Sequence, residues 1–431
     1  MTAGSAPAEL TNACADVAAA SDSDQIAGVQ ARYVAAPSST EEASALLRAA
    51  AGLGLTVVPR GSGRRMHWGN PPSSCDLIVD TRRLDRVLEH VAGDQVLRVQ
   101  AGVLLDDVAT VVAKAGQRLS LDPAAGGCVG GVLATNAAGP LRYRYGAPRD
   151  LLIGITVVRA DGTVARSGGK VVKNVAGYDL GKLFAGSYGT IGLITEATFR
   201  LHPQPERSEW LTLDRPDPES AAQAARVIAD SPLAPSAIEL SWPGGNQPLT
   251  VSVLLEGDES SVGVRADRMR TLLDRELADV ELAVGPFRPA RPPADGRELA
   301  NDGGTAIRVG FWAGQLARVL TTIRTATVAN ELNAAISGSP GAGLLYVNVH
   351  AEVSADAVAR MVVELRAGLA GLGAGSVVPS TASAVVLYAP PDVRDAVDLW
   401  GPVPSLGLMQ AVKDQFDPQR RMAPGRFAGG I

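Results

Sequence analysis

Three stretches of this 431-residue chain gather glycines beside basic and small polar residues in patterns that suit a large anionic ligand. The first, PRGSGRRMHWG at 59–69, follows a β-branched run. A diphosphate needs a concave array of backbone N–H donors with little side chain in the way, and glycine supplies both conditions. A plain turn has the same composition, so this stretch alone leaves both readings open. It is not a Rossmann fingerprint, because the G-x-G-x-x-G spacing is absent and no helix pattern follows. The second stretch, LDPAAGGCVGGVLATNAAGPLRYRYGAPRD at 121–150, brackets Cys128 with two glycine pairs, 126–127 and 130–131. Small residues at this density let a wide, flat ligand lie against backbone, and Arg142, Arg144 and Arg149 offer charge to offset a diphosphate. Turns in a glycine-rich β domain are the alternative. In the third, at 168–203, Lys170, Lys173, Asn174, Tyr178 and Asp179 precede GSYGTIG at 186–192, which runs into a strand. A charged helix face would explain the lysines but not the clustered glycines.

Other chemistries are poorly supplied. Cys14, Cys75 and Cys128 are far apart and form no C-x-x-C pair, so neither a zinc site nor a four-thiolate iron–sulfur cluster is expected. Any redox work must rest on an organic cofactor, with electrons leaving through something else. The four histidines are His67, His90, His202 and His350. His350, at the end of a strand expected over 344–349, is the one candidate general base; a lone histidine at a strand end is more often a structural residue.

The elements that would position these residues follow from periodicity. Strands are expected at 32–37, 55–59, 77–80, 96–100, 151–159, 164–166 and 191–201. Helices are expected at 43–51, opened by a Ser39/Glu42 capping box, and at 104–114. Pro203 and Pro205 mark a boundary. Beyond it strands at 208–213, 249–256, 306–311, 344–349 and 384–388 alternate with helices at 218–229, 262–277, 316–334 and 355–369. This rhythm implies a mixed or antiparallel sheet with helices on one face, an α+β arrangement. The expected organisation is a lead-in over 1–30, a first domain over 31–206, an α+β cap over 207–405 and a returning helix and tail over 406–431.

Composition sets the limits. Hydrophobic residues make up 46% and charged residues 20%, which argues against disorder. A net charge of −5 gives no reason to expect nucleic acid. No apolar run approaches the roughly 20 residues needed to span a bilayer. The first residues lack a basic segment followed by an apolar one, so a cytoplasmic location is the expectation.

Taken in succession, the three stretches resemble the FAD-binding domain of the vanillyl-alcohol oxidase and p-cresol methylhydroxylase group. RDLLIGITVVRADGTV and GGKVVKNVAGYDLGKLFAGSYGTIGLITEATFRLHPQP are particularly similar to the FAD-binding (E) subunit of bacterial glycolate oxidase. The ending VKDQFDPQRRMAPGRF resembles the family's K-x-x-F-D-P box and terminal N-P-G-R, with Ala423 in place of the Asn. The resemblance covers 32–206 and the last twenty residues well, and the cap only loosely. It implies a two-subdomain FAD-binding domain followed by a cap. It also implies a diphosphate loop at Arg60, Gly61, Ser62, Gly63, Arg64 and Arg65, reaching Gly69. Gly126, Gly127, Cys128, Gly130, Gly131, Ala134, Asn136 and Gly139 would wrap the diphosphate and the flavin edge. Arg144, Tyr145 and Gly146 would form a flavin-side loop, and Ile191 and Ile194 would abut the cofactor from a strand. Members with covalent flavin carry a histidine directly after the loop glycines. Arg64 stands there and His67 is out of register, so non-covalent FAD is expected.

Related 2-hydroxy-acid dehydrogenases carry a His-x-Gly-Asp-Gly-Asn-x-x-His box that this chain lacks. The resemblance therefore implies a subunit acting beside a histidine-box flavoprotein and an iron–sulfur subunit, with any membrane association made through them. A small 2-hydroxy acid such as glycolate would be the substrate. A self-sufficient dehydrogenase of D-lactate or a sugar acid is the alternative, with Arg308, Arg318 and His350 as its cap residues. A flavin-free scaffold is the third reading.

Overall fold

A computed structural model describes residues 6–123, 126–169, 179–277, 282–284, 304–373 and 382–431. The chain divides into two compact units. The first comprises Met1–Ala138, Gly146–Gln204 and Val403–Ile431, and the second Gly139–Tyr145 and Pro205–Pro402.

In the first unit, Tyr33–Ala35, Leu77–Asp80 and Val57–Arg60 are parallel neighbours, and Val17–Ala19 adds an antiparallel edge. The helix Thr40–Gly52 lies in this βαβ connection because Ala43, Leu46, Leu47 and Ala50 form one apolar stripe. That stripe packs with Val57, Leu77 and Val79 of one sheet and Val158 and Leu193 of the other. Fully burying each leucine contributes about 1.5–3 kcal/mol. Ser39 caps the helix, its Oγ accepting from the Glu42 N–H at 3.1 Å. The expected box does not close on Ser39. The Glu42 carboxylate instead accepts from Ser38 N and Ala15 N, both at 2.7 Å. Burial pushes that carboxyl up, but these hydrogen bonds outweigh it and hold it at about 2.

The second sheet of this unit is antiparallel, in the order Val164–Gly168, Leu152–Val158, Leu193–Arg200, Val96–Gln100, Val87–Val91. The last strand was not expected from the sequence. The C-terminal helix Leu406–Phe416 returns to this unit, and the tail after it lies beside Val57. There Val57 N donates to Arg421 O at 2.8 Å, and Ala423 N donates to Val57 O at 2.7 Å.

The second unit is one eight-stranded sheet in which every described pair is antiparallel. The helices Pro218–Ala229, Glu259–Glu276, Leu316–Ala329 and Ala355–Gly371 supply its apolar cover. Two inner strands, Ala237–Trp242 and Ala334–Ser339, were missed by the periodicity reading. The helix expected over 316–334 ends at Ala329. Glu331 adopts φ +57°, and Leu332 N donates back to Thr327 O at 2.9 Å, turning the chain into the second missed strand.

Candidate cofactor site

A cleft in the first unit opens where the parallel strand Val57–Arg60 ends. Its walls are the loop 60–66, the helix Val129–Thr135 and the turn 188–194, with Arg426 from the tail. Glycine is required in this wall for steric reasons. A Cβ on Gly61 would lie 2.1 Å from Cys128 Sγ, and one on Gly130 would lie 2.8 Å from the Ala101 Cβ. Gly63 sits at φ +77°, a conformation that glycine adopts at little cost.

Two crossed contacts tie loop and helix together. Ser62 N donates to Cys128 Sγ at 3.4 Å, and Cys128 N donates to Ser62 Oγ at 3.3 Å. Arg65 adds a hydrogen bond from Nη2 to Gly126 O at 3.0 Å. The helix start does not spend its donors on the cleft, because Val129 N and Gly130 N reach Val103 O (2.9 Å) and Ala101 O (2.7 Å). What Gly130 and Gly131 contribute is bare surface.

The cleft is positive. Arg60, Arg64, Arg65 and Arg426 line it, and among the described residues no carboxylate does. Arg60 is already neutralised, with Nη1 2.8 Å from Asp24 and Nη2 3.2 Å from Asp80. Arg426 is different. It is 3% exposed and its Nη2 donates to Met66 O and Trp68 O, both at 2.7 Å. No carboxylate pairs with it among the described residues. Burial pulls its guanidinium down to about 10, which leaves it charged at neutral pH. The arginine of P-G-R therefore anchors the far side of the first glycine loop and adds a buried positive charge to the wall.

The tail itself hangs on Lys413 of the K-x-x-F-D-P box. Its Nζ donates to Thr190 O (2.6 Å), Asp417 Oδ2 (2.7 Å) and Met422 O (2.9 Å), with both charged side chains almost fully buried. The same Asp417 oxygen accepts from Met422 N at 2.7 Å. Tyr188 holds φ +56°, uncommon for a non-glycine residue, beside Gly189 at φ +76°. Its N–H donates to Ala134 O at 2.8 Å, and its ring packs 5.5 Å from Phe427.

Of the residues the resemblance points to, Arg60, Gly61, Ser62, Gly63, Arg64, Arg65, Gly130, Gly131, Ala134 and Ile194 meet at this cleft. The others lie elsewhere. Gly126, Gly127 and Cys128 stand behind the loop, where Cys128 is 1% exposed. Asn136 ends its helix at φ +49° and accepts from Arg149 N at 3.1 Å. Ile191 belongs to the core under the antiparallel sheet. Gly69 and Gly146 take positive φ in turns outside the cleft. Gly139, Arg144 and Tyr145 fall in the second unit. There Arg144 Nη1 donates to Ala234 O at 3.1 Å, and Tyr145 packs on Leu141, Ala237 and Leu254. His350 is exposed at the end of its strand. Lys170, Lys173, Asn174 and Tyr178 lie outside the described residues.

Sequence reasoning missed Met66, Thr81, Tyr188, Gly189, Gly192 and Arg426 as cleft residues. The G-S-Y-G-T-I-G run signalled the turn, and P-G-R signalled the tail.

Residues 31–168 match the model of a family described as the FAD binding domain. The cleft's lining fits a flavin dinucleotide: Gly61 and Gly130 let loop, helix and the buried Cys128 and Ala101 close into a thin wall, and Arg426 supplies a buried charge that pairs with no carboxylate among the described residues. Two relatives bring this nearer to particular proteins. Glycolate oxidase subunit GlcD of Bacillus subtilis is 31% identical over 278 residues, 64% of this chain and 56% of that one. D-lactate dehydrogenase of Archaeoglobus fulgidus is 35% identical over 209 residues, 48% of this chain and 46% of that one. The chain thus spans about half the length of the curated relatives it matches. The fold is that of p-cresol methylhydroxylase, whose substrate-bound crystal structure superposes with a TM-score of 0.73 at 15% identity, covering 97% of this chain and 95% of that one. Among the described residues, no helix is long and apolar enough to cross a membrane, and no group of three metal-ligating side chains occurs.

Proposed function

We propose that this chain holds FAD non-covalently as a subunit of a 2-hydroxy-acid dehydrogenase, oxidising glycolate or a similar acid and passing electrons to partner subunits. The observation that carries the reading is the glycine-walled, acid-free cleft with Arg426 buried in its side. Bound there, FAD would supply two-electron oxidation of a CH–OH group. The residues suited to its diphosphate are the backbone of Gly61 and Gly63 on either side of Ser62, with Arg64, Arg65 and Arg426 for charge. Gly130, Gly131 and Ala134 leave room for the rest. Gly63 N has no acceptor among the described residues, which suits a loop that donates to phosphate oxygens. Arg64, at the position of the covalent histidine in related proteins, supports a dissociable cofactor.

The relay role rests on composition. Three buried cysteines cannot ligate a cluster, and the histidine box is absent. A histidine-box flavoprotein and an iron–sulfur subunit would complete the complex, and a cytoplasmic location follows from the same reading. The test is purification of the full chain. It should be yellow, release its flavin into the supernatant after acid precipitation, and turn over glycolate only when the partners are added. Colourless protein that takes up no added FAD would refute the cofactor assignment. Brisk turnover by the lone chain with an artificial acceptor would replace the relay with a self-sufficient enzyme.

A further inference from the structure

The N-terminal lead-in carries a hairpin that reaches the cleft from outside it. Gln25–Ile26 and Val29–Gln30 pair across a two-residue turn, with Ala27 at φ +50° and Gly28 at φ +91°, the left-handed pair that such turns require. Ile26 is fully buried and packs with Val58 and Ile78, and Met66 of the first glycine loop lies against the same cluster. The turn before the hairpin fixes Asp24, whose Oδ2 accepts from Ser21 N at 2.9 Å and Ser21 Oγ at 2.7 Å. Its Oδ1 is left for Arg60, whose Nη1 donates to it at 2.8 Å.

Arg60 lines the cleft, whereas Asp24 does not. The second acid beside Arg60 has a counter-ion of its own. Asp80 accepts from Arg82 N at 3.0 Å, from Arg82 Nε at 2.9 Å and from Arg82 Nη2 at 2.8 Å, and Arg60 Nη2 stands further off at 3.2 Å. Two acids and two arginines thus cancel, with Asp24 as the acid that answers Arg60. Their side chains are 17% and 18% exposed, and salt screens an ion pair so enclosed only weakly. Burial pushes the Asp24 carboxyl up, but hydrogen bonds from Ser21 and Arg60 outweigh it and hold it below its ordinary value, so it is ionised at neutral pH. A wall built for the strongest grip on an anion would leave all its arginines unopposed. This wall sets a carboxylate from another element against one of its four.

We infer that Asp24 is a positioning residue for the cofactor: it holds the Arg60 guanidinium back from the diphosphate and cancels its charge, keeping affinity below what the arginines alone would give. The inference rests on the reading of the cleft as an FAD site and adds to it a residue on a separate element. A hairpin that merely braced the loop would act with the opposite sign, since loosening it would weaken binding.

The test is titration of the full-length chain, freed of its dissociable flavin, with FAD by fluorescence and with inorganic pyrophosphate by calorimetry. Asp24→Asn keeps the shape of the side chain and can still accept from Ser21. It should bind FAD about three- to tenfold more tightly at low ionic strength, with the advantage fading at about 1 M salt. Asp24→Glu, which keeps the charge, should bind like the parent. So should Asp22→Asn, which removes the same charge from an exposed position of the same turn. The gain should vanish when Arg60→Met is combined with Asp24→Asn. Circular dichroism verifies that the variants are folded. Equal or weaker FAD binding by folded Asp24→Asn would overturn the inference, as would a matching gain in Asp22→Asn. The two readings fail separately. Pyrophosphate bound more tightly by Asp24→Asn than by a parent that takes up no FAD would sink the cofactor assignment and keep this role for Asp24. FAD held equally by the two would sink this role alone.

Discussion

Gly61→Ala is a small change with a calculable consequence. A Cβ at residue 61 would stand 2.1 Å from Cys128 Sγ, with Thr81 Oγ1 next at 3.5 Å and Cys128 Cβ at 3.7 Å. Non-bonded heavy atoms prefer about 3.5–4.0 Å, so the loop or the helix must move by roughly 1.5 Å. Both are pinned: Cys128 is 1% exposed, and Ser62 is tied to it in both directions. Overpacking of this kind costs about 1–3 kcal/mol. If the loop yields, that cost appears in cofactor affinity, a weakening of about 5- to 150-fold at 1.4 kcal/mol per tenfold. Cys128→Ala removes the offending sulfur. The remaining neighbours at 3.5 and 3.7 Å are ordinary contacts, so Gly61→Ala/Cys128→Ala should regain most of the loss. Flavin-fluorescence titration of the four proteins gives the double-mutant cycle, with a favourable coupling of about 1–3 kcal/mol expected. Losses that simply add would show that the clash is not what shapes this wall.

Three further outcomes are expected. Lys413→Met strands the Asp417 carboxylate and two backbone carbonyls in the interior. The expected cost is about 3–5 kcal/mol, seen in calorimetry as a melting-point drop of about 6–20 °C, and a drop under about 3 °C would contradict it. Arg426→Met should weaken FAD binding about tenfold or more while Arg420→Met does not. The Arg420 guanidinium pairs with exposed Asp414, away from the cleft, so equal losses in a flavin titration would remove Arg426 from the site. Glu42→Gln should narrow the stability advantage of the parent in acid. The folded-state pKa is about 2 against an ordinary 4.5, so the carboxylate's stabilisation is complete above about 4.5 and disappears as pH falls towards 2. Thermal melts of both proteins across that range should converge at the acid end, and a constant gap would count against it.

The legible parts of the chain were those where one physical signal acts locally. Leu77–Asp80, Val96–Gln100, Pro218–Ala229 and Leu344–Val349 have the expected bounds because β-branched runs or an Asp217–Pro218 start define them without help from the rest of the molecule. Ala237–Trp242 and Ala334–Ser339 were missed. AAISGS, buried almost throughout, shows no clean alternation, and Ala334 reads as the continuation of a helix until Glu331 turns the chain; AIELSW does alternate, Ile238, Leu240 and Trp242 against Glu239 and Ser241, but is only six residues long and was passed over. In the cleft, glycines marked the right loops but not which atoms face the opening. Cys128 and Ile191 lie in the same runs as Gly130 and Ile194 and differ only in the side of the backbone they occupy, a distinction set by packing partners far away in sequence.

The tail shows why a site of this kind needs the two ends of its unit. The loop 60–69 hangs from one short parallel strand, and an isolated glycine-rich loop would sample many conformations at about 1–2 kcal/mol of entropy per residue ordered. Arg426 removes that freedom from the far side by holding Met66 O and Trp68 O. Met422 and Ala423 pair beside Val57 on the near side. Lys413 then joins this tail to Thr190 O in the turn that forms the opposite wall. One buried ammonium thus couples the tail to a wall more than two hundred residues away in sequence. A tail displaced by even one residue would release the loop, the turn and the Arg426 charge together. Cofactor affinity should therefore track tail anchoring more closely than it tracks any single contact in the cleft.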